Sequence, residues 1–363
     1  MSIEKKLQYV AKQFRIPGEF VTFGRIKIGN VNQTYTITYR QDNGKVKKYI
    51  VQRVNTYAFR EPEKLMSNID LVTEYIHDVS PGKKVLHFHH TEDRANYIVS
   101  DDSVWRLCNY IESITFNEIP SADILRKAGI AFGHFQHVLS HFDVNELYET
   151  IPNFHNTRKR LETLFEDAER DDEGRACEVK AELDYIRSVY DKACILSDMR
   201  DRGELPIRVT HNDTKLNNVL FHTETKEPIV IVDLDTVMPG LVASDFGDAV
   251  RYACNTVAED SQNYARADVN MELFRAFAEG FLSEVGDSLT ENEINTLALS
   301  CFVITVELAS RFLDDYLNGD KYFTVNYGTH NLVRTRCQLA LAKKMEEHMD
   351  EMDGIIKECL GRK

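Results

Sequence analysis

A short polar segment at 210–218 contains residue types that could transfer a phosphoryl group. Its order, Thr-His-Asn-Asp-Thr-Lys-Leu-Asn-Asn, fits the kinase catalytic-loop pattern H-x-D-x-K-x-x-N. In that chemistry Asp213 would take the proton of an acceptor hydroxyl, and Lys215 would reach the γ-phosphate of ATP. Asn218 would offer a neutral oxygen to Mg²⁺, which prefers oxygen ligands. The segment therefore predicts a catalytic loop, in which His211 has a structural role.

Two further carboxylates follow an apolar run a short distance along the chain. Residues 229–233 predict a buried apolar strand that ends in the carboxylate of Asp233, and Asp235 follows two positions later. Kinases hold their metal ions with a carboxylate downstream of the catalytic loop, so Asp233 is the first candidate for Mg²⁺ and Asp235 the second. Each motif alone would fit an ordinary buried strand or loop. The two motifs in this order favour phosphoryl transfer.

The tripeptide Asp-Phe-Gly at 245–247 resembles the metal-binding motif of protein kinases. It lies too far downstream of 210–218 for that role, and it opens a predicted helix at 248–254. We therefore expect Asp245 and Asp248 to cap a helix and to brace the catalytic loop. The chain also has no A-P-E-like activation segment, which disfavours a protein kinase.

The residues available for nucleotide binding are less regular. The chain has no G-x-G-x-x-G, and the nearest stretch is 27–35, in which Gly29 and Asn30 could form a tight turn over the phosphates. The next strand presents Gln52 where kinases carry a phosphate-binding lysine. Either Gln52 suffices there or Arg53 substitutes for the lysine. Asp70 on the following predicted helix could brace Arg53, or the two side chains could be exposed and unrelated in space.

The pattern of apolar residues changes near residue 111. Before it, alternation predicts antiparallel strands at 31–39 and 49–54 around an Asp-Asn-Gly turn, with further strands at 96–100 and 105–111. Apolar residues at helical spacing predict helices elsewhere. These helices are expected at 61–77, 122–141, 157–170, 177–200, 271–284 and 291–317, and two short strands are expected at 219–221 and 229–233.

This order of elements predicts an α+β fold with the two-lobe arrangement of protein kinases. A small antiparallel β lobe at 1–111 would bind the nucleotide, and a larger helical lobe at 112–363 would carry the catalytic and substrate residues. The hinge between them would hydrogen-bond adenine through backbone groups of Asn109 and Ile111.

Composition limits the classes of function. The net charge of −14 over 363 residues disfavours a nucleic-acid binder. No apolar run approaches the roughly 20 residues of a membrane span, and the N-terminal residues do not read as a signal peptide. Seven scattered cysteines without a C-x-x-C pair suit reduced thiols in a cytoplasmic enzyme. No obligate protein partner is evident, and the expected partners are ATP and a small molecule.

Beyond these motifs, the chain resembles the aminoglycoside phosphotransferase/choline kinase superfamily and, within it, the N-acetylhexosamine 1-kinases. The resemblance is collinear over nearly the whole chain. Its most specific stretches are 208–218, 232–240, 245–248 and 330–336. The resemblance implies that ATP phosphorylates the anomeric hydroxyl of N-acetylglucosamine or N-acetylgalactosamine, which gives the sugar 1-phosphate.

The resemblance also implies roles for individual residues. It matches the catalytic aspartate to Asp213 and the metal ligands to Asn218 and Asp233. The implied sugar-binding residues are Arg311 and Tyr322, together with Asn30, which stands where the family has a histidine that reaches the sugar. The implied nucleotide neighbours are Ile50 and Gln52, which makes the missing lysine a family trait.

Two other functions stay open at this stage. One is a kinase of another small hydroxyl compound, such as another hexose, an amino alcohol, homoserine or an aminoglycoside. Clustered carboxylates would favour a cationic acceptor, whereas Arg311 and Tyr322 favour a neutral sugar. The other is a non-catalytic binding protein, against which the intact Asp213, Lys215 and Asn218 argue. Arg311 could also simply pair with Glu307 along a helix.

Overall fold

The computed structural model describes residues 2–26 and 31–361, and the chain divides into two compact units. The smaller unit consists of Met1–Ile114, Asn145–Ile151 and Phe221–Thr225. The larger unit consists of Thr115–Val144, Pro152–Leu220 and Lys226–Lys363.

The smaller unit is built on an antiparallel sheet with the strand order β1-β2-β3-β5-β4. Alternating side chains divide between its two faces, and α1 covers one face with a stripe of apolar residues. The elements of this unit are α1 (Ile3–Gln13), β1 (Glu19–Ile26), β2 (Gln33–Arg40), β3 (Val46–Val54), α2 (Pro62–Val79), β4 (Ile98–Ser100) and β5 (Ser103–Asn109).

The larger unit is mainly helical. The short strands in this part of the chain are β6 (Arg208–Thr210), β7 (Val219–Phe221), β8 (Pro228–Ile231) and β9 (Met238–Gly240), with β6 paired to β9. Its helices are α3 (Ala122–Val138), α4 (Thr157–Arg170), α5 (Lys180–Ser188), α6 (Tyr190–Asp201), α7 (Val242–Ala253), α8 (Met271–Val285), α9 (Glu291–Leu317), α10 (His330–Glu347) and α11 (Met349–Cys359). The predicted α+β class is therefore confirmed.

Several predicted element boundaries were wrong. The helix expected at 177–200 is a 3₁₀ turn followed by α5 and α6, which are separated at Val189. Helix α7 begins at Val242, so the aspartates expected to cap a helix lie inside its first turns. Helices α10 and α11 were not predicted from the sequence.

Helix α9 is the central element of the larger unit, and it is long and apolar enough to cross a membrane by length and composition. This differs from the expectation from the sequence, in which no apolar run approaches the length of a membrane span. However, 83% of its most apolar window is buried inside the protein. Burial of this kind is what the core helix of a folded domain shows, so α9 is weak evidence for a membrane span.

Helices α3 and α8 pack with their backbones in close contact because glycines line both sides. A Cβ added at Gly280 would lie 2.0 Å from the carbonyl oxygen of Arg126, and one at Gly129 would lie 2.5 Å from that of Phe277. Both obstacles are helix backbone, which cannot rotate away. The helices would have to separate to admit any side chain.

We therefore expect Gly280→Ala to lower the free energy of unfolding by about 1–3 kcal/mol, the usual cost of overpacking. Gly354→Ala in α11 is the matched control, because nothing lies within 4 Å of its added Cβ. That control should be neutral or stabilising by about 0.5–1 kcal/mol, since glycine is a poor helix residue. Urea unfolding followed by circular dichroism measures both, and equal midpoints for the two variants would contradict the packing argument.

Two carboxyl groups meet where α9 packs on α4. Asp314 is half-buried and hydrogen-bonds to Asp167, and Asn318 donates to both side chains, at 3.2 Å and 2.6 Å respectively. Burial and the Asp167 charge, followed by Asp315, raise the pKa of Asp314 to about 7, against the opposing effect of Arg160. Asp314 therefore keeps its proton to a higher pH than an ordinary carboxyl group does, and it can share that proton with Asp167.

This pair predicts a pH dependence of stability. The pKa of Asp314 in the folded state exceeds the unfolded value of about 3.9, so this group binds more protons in the folded state between these two values. Its contribution to stability must therefore fall as the pH rises from about 4 through about 7. Asp314→Asn keeps a donor toward Asp167 without the titration. We expect melting temperature to fall less between pH 5 and 8 in this variant than in the parent. Asp191→Asn, at an exposed position of α6, should keep the parent slope, and an unchanged slope in Asp314→Asn would disprove the shared proton.

Candidate active site

The backbone of the predicted catalytic loop is held by one buried carboxylate of α7. Asp245 accepts hydrogen bonds from the amides of His211 (2.9 Å) and Asn212 (2.7 Å) and from Gln136 Nε2 of α3 (2.7 Å). Burial raises the pKa of Asp245, while His211 and these donors act in the opposite direction. The loop can adopt its unusual path because Asn212 takes a left-handed conformation with φ of 62°. The predicted bracing by Asp245 is therefore present, although from inside a helix.

A second aspartate of α7 supports the next part of the loop. Asp248 accepts from the Thr214 amide (3.1 Å) and forms an ion pair with Arg251 (2.8 Å). Burial alone would raise the pKa of Asp248, but Arg251 and then Lys215 outweigh it and hold the pKa below its usual value. Asp248 therefore stays charged and adds a negative potential beneath Lys215.

These supports bring the three predicted catalytic-loop residues together. Lys215 Nζ lies 2.7 Å from Asp213 Oδ1, and Asn218 Nδ2 donates to Asp213 Oδ2 (3.1 Å) and to its carbonyl oxygen (2.8 Å). Burial would lower the pKa of Lys215, but Asp213 outweighs it and keeps the lysine charged. The side chain of Asp213 is 23% exposed, so a small molecule can reach it. Because Asn218 donates through its amide nitrogen, its side-chain oxygen remains the atom suited to a metal.

His211 is fixed on both sides of its ring. Its Nε2 lies 3.0 Å from the Val232 carbonyl oxygen and its Nδ1 accepts from the Asp213 amide at 3.3 Å. The rings of Phe132 and Phe135 meet the imidazole edge-on at 5.8 Å and 5.9 Å. Both ring nitrogens are used in backbone hydrogen bonds, which is an arrangement for holding the loop.

The two candidate metal ligands differ in accessibility. The Val232 amide donates to the Asn218 carbonyl at 2.9 Å, which aligns the end of β8 with the catalytic loop. Asp233 then turns with φ of 62° and ψ of 55° and has an exposed side chain, whereas Asp235 is 3% exposed. Within residues 2–26 and 31–361, no three His, Cys, Asp or Glu side chains form a metal-binding group. Asp233 and Asn218 suit an ion such as Mg²⁺ that completes its shell with phosphate and water oxygens.

On β3 of the smaller unit, Gln52 takes part in a hydrogen-bonded row that the sequence did not predict. Gln52 Nε2 donates to Thr34 Oγ1 of β2 (3.2 Å), and its Oε1 accepts from Arg106 Nε of β5 (2.9 Å). Ile50 lies half-buried on the same face two residues earlier. Arg106 could have been noticed as the one charged residue of β5, with apolar neighbours on both sides from Val104 to Cys108.

The structure also shows where Arg53, the possible substitute for the missing strand lysine, lies in the sheet. Arg53 is exposed and lies on the other face of the sheet from Gln52. Asp70, which was considered as its brace, instead bonds to His90 (2.9 Å). Gly29 and Asn30 lie outside the described residues.

The predicted hinge residues differ in the backbone groups they have available. The Asn109 amide donates to the His87 carbonyl (3.1 Å), and its side chain contacts His89 Nε2 (3.0 Å). The Ile111 carbonyl accepts a hydrogen bond from Ser113 (2.9 Å), which leaves this oxygen one further lone pair. Adenine binding at this position would therefore depend more on Ile111 than on the Asn109 amide.

Arg311, which the resemblance implies to be a sugar-binding residue, is stacked between aromatic rings of the larger unit. Its guanidinium lies 5.1 Å from the Phe154 ring centre and 5.7 Å from that of Phe323. Within the described residues no carboxylate lies within salt-bridge distance of it. Glu307, its expected partner along the helix, bonds instead to His155 (2.8 Å) and Thr157. The Glu307–Arg311 salt bridge considered from the sequence is therefore wrong.

A buried aspartate positions the neighbouring Tyr322. Asp315 accepts hydrogen bonds from the amides of Tyr322 (2.7 Å) and Phe323 (2.9 Å), and Tyr322 as a residue remains 56% exposed. The two rings meet edge-on at 4.8 Å. Tyr322 therefore lies beside the stack formed with Arg311 by Phe154 and Phe323.

A second arginine, Arg160, lies close to this stack and was not predicted. It donates to the Phe154 carbonyl oxygen (3.4 Å), and its Nε is buried without a hydrogen-bond partner among the described residues. Burial and the charge of Arg311 lower the pKa of Arg160. Arg160 and Arg311 are therefore two neighbouring cations of the larger unit.

Comparison with known proteins places this geometry in a family. The sequence model of the phosphotransferase enzyme family matches residues 22–279. An aminoglycoside phosphotransferase from Alicyclobacillus acidocaldarius subsp. acidocaldarius DSM 446 has a TM-score of 0.64 at 13% identity, covering 97% of this chain and 96% of that one. The microcompartment-associated aminopropanol kinase has a TM-score of 0.61 at 13% identity, covering 97% and 99%.

A third similar structure is amicoumacin kinase hAmiN, solved with AMP-PNP, Ca²⁺ and Ami, with a TM-score of 0.58 at 14% identity and 96% of each chain covered. At these identities the likeness shows the fold alone, and it confirms the two-lobe kinase-like fold predicted from the sequence. The family match extends over most of the chain. The chain therefore belongs to the phosphotransferase enzyme family.

Proposed function

We propose that this kinase uses ATP and Mg²⁺ to phosphorylate the anomeric hydroxyl of N-acetylglucosamine or N-acetylgalactosamine. The observation that carries the choice of acceptor is Arg311, stacked on two aromatic rings and without a carboxylate partner in the described part of the chain. An arginine held in this way presents N–H donors that fit sugar hydroxyls and an acetamido oxygen. The exposed ring of Tyr322 adds an apolar surface and a hydroxyl beside it.

The arrangement around Asp213 fits transfer to an alcohol. Asp213 would orient the acceptor hydroxyl and take its proton as the sugar oxygen bonds to the γ-phosphorus and the bond to the ADP oxygen breaks. Lys215 would leave its contact with Asp213 to neutralise the transferred phosphoryl group. Mg²⁺, when bound by Asp233 and Asn218, would neutralise phosphate charge and align the phosphates. Without such cations, a chain of net charge −14 would repel ATP.

The alternative function is that of a kinase for another small hydroxyl compound. The similar structures include an aminopropanol kinase and an amicoumacin kinase. Cationic acceptors of the amino alcohol kind need carboxylates near the amine, whereas this chain places Arg160 beside Arg311. Two neighbouring arginines would repel such an acceptor. The acceptor is therefore better matched by a neutral sugar than by an amine.

The acceptor assignment is tested by ADP release from ATP and Mg²⁺ with a panel of acceptors. The panel contains N-acetylglucosamine, N-acetylgalactosamine, glucose, galactose, choline, homoserine and kanamycin. We expect turnover with the N-acetylhexosamines and a phosphorus NMR doublet from an anomeric phosphate. Turnover with choline or kanamycin alone would overturn the sugar assignment while keeping the kinase.

For Asp213→Asn we expect kcat to fall by about 10²–10⁴-fold, because the proton acceptor is removed. The affinity for ATP should stay within about twofold of the parent, since the Asp213–Lys215 ion pair would lie at the end of the nucleotide from which the phosphoryl group is transferred. Asp233→Asn should instead weaken nucleotide binding only when Mg²⁺ is present. Asp42→Asn, in an exposed turn of the smaller unit, is the matched control. Near-normal turnover in Asp213→Asn would rule out its role.

A further inference from the structure

The strand position that carries a lysine in most kinases is occupied by a neutral residue here, and a buried cation stands opposite it. Gln52 on β3 pairs directly with Arg106 on β5 in the antiparallel register. Directly opposed residues project from the same face of a sheet. Gln52 and Arg106 therefore present their side chains together, on the face that also carries Thr34.

Contacts within the smaller unit fix the side chain of Arg106. Its Nε donates to Gln52 Oε1 (2.9 Å), its Nη1 lies 3.7 Å from the sulfur of Met66 in α2, and its guanidinium lies 5.4 Å from the Phe88 ring centre. Only 2% of the residue is exposed. Arg106 is therefore pre-positioned at this face.

A buried guanidinium is costly because arginine keeps its proton in proteins and loses its hydration. The other side chains of β5 from Val104 to Cys108 are apolar, so an uncharged residue would pack there more cheaply. A charge that is fixed and desolvated acts strongly on an anion that binds nearby.

The contact with Arg106 also decides which way Gln52 points. Its oxygen is taken by Arg106 Nε, so its amide nitrogen is directed toward Thr34 and away from Arg106. The second hydrogen of that nitrogen is a donor, polarised by the neighbouring cation. An oriented donor backed by a positive charge is a suitable partner for a phosphate oxygen.

We propose that Arg106, acting through Gln52, supplies the positive charge toward the nucleotide phosphates that other kinases take from the strand lysine. The inference rests on the proposed ATP-dependent function. Arg106 is a positioning residue: it orients and polarises Gln52, and Gln52 makes the contact. Arg53 is not a substitute for the lysine, since it is exposed and lies on the opposite face.

The test moves the cation from one strand to the other. Arg106→Gln should raise the ATP KM by about 10- to 100-fold, the loss expected of a charge-assisted contact, with the acceptor KM within twofold. Gln52→Lys alone should be at least as impaired, because the new lysine faces Arg106. The double variant Gln52→Lys/Arg106→Gln restores a strand lysine beside a neutral partner. It should recover most of the ATP affinity.

Arg53→Gln is the matched control and should leave the ATP KM unchanged. Mg²⁺-dependent binding of AMP-PNP by calorimetry, together with thermal unfolding, separates affinity from folding without needing an acceptor. The proposal is overturned if Arg106→Gln binds AMP-PNP like the parent. It is also overturned if the double variant recovers no ATP affinity although it and Arg106→Gln melt like the parent. Equal increases in the KM for ATP and the KM for the acceptor in Arg106→Gln would overturn it as well. A parent protein that binds no nucleotide would overturn the proposed function itself. If the parent binds AMP-PNP but phosphorylates no acceptor, the AMP-PNP affinities of the parent and of Arg106→Gln still decide the role of Arg106.

Discussion

The arrangement of the catalytic loop depends on the carboxylate of Asp245. It is buried, and it joins three parts of the larger unit by accepting from Gln136 of α3 and from the amides of His211 and Asn212. Buried amides without a partner are costly, so this carboxylate determines which loop conformation is stable. Asn212 adopts its left-handed conformation under this constraint. Asp213 comes next in the chain, so its position depends on these contacts as well as on its own contacts with His211, Lys215 and Asn218.

The protein combines an acidic chain with a small number of placed cations. The net charge of −14 would repel a nucleotide if charge were spread evenly. Instead, Lys215 is held against Asp213, Arg106 is buried against Gln52, and Arg311 is stacked on aromatic rings. Each cation is fixed by neighbours before any ligand binds, which lowers the entropy lost on binding.

Sequence reasoning worked best where a function requires a fixed spacing. The spacing of Asp213, Lys215 and Asn218 within one loop predicted their mutual contacts, because a short segment limits how far apart its side chains can lie. It failed where contacts join distant parts of the chain. Arg106 and Arg160 were missed because each is significant only through a neighbour far away in sequence. The alternative pairing of Glu307 with Arg311 does not form, and helical spacing could not show that His155 competes for Glu307.

The sequence by itself predicted a phosphotransferase fold, the segment 210–218 whose side chains contact one another, and the division into a β-rich and a helical part, because local patterns encode periodicity and motif spacing. Tertiary structure decided which carboxylate is reachable: Asp233 is exposed and Asp235 is buried, although the two are separated by one residue. It also decided the roles of Asp245 and Asp248, which became supports inside α7 instead of helix caps. Burial and long-range hydrogen bonds set these outcomes, and both arise only when separate elements pack together.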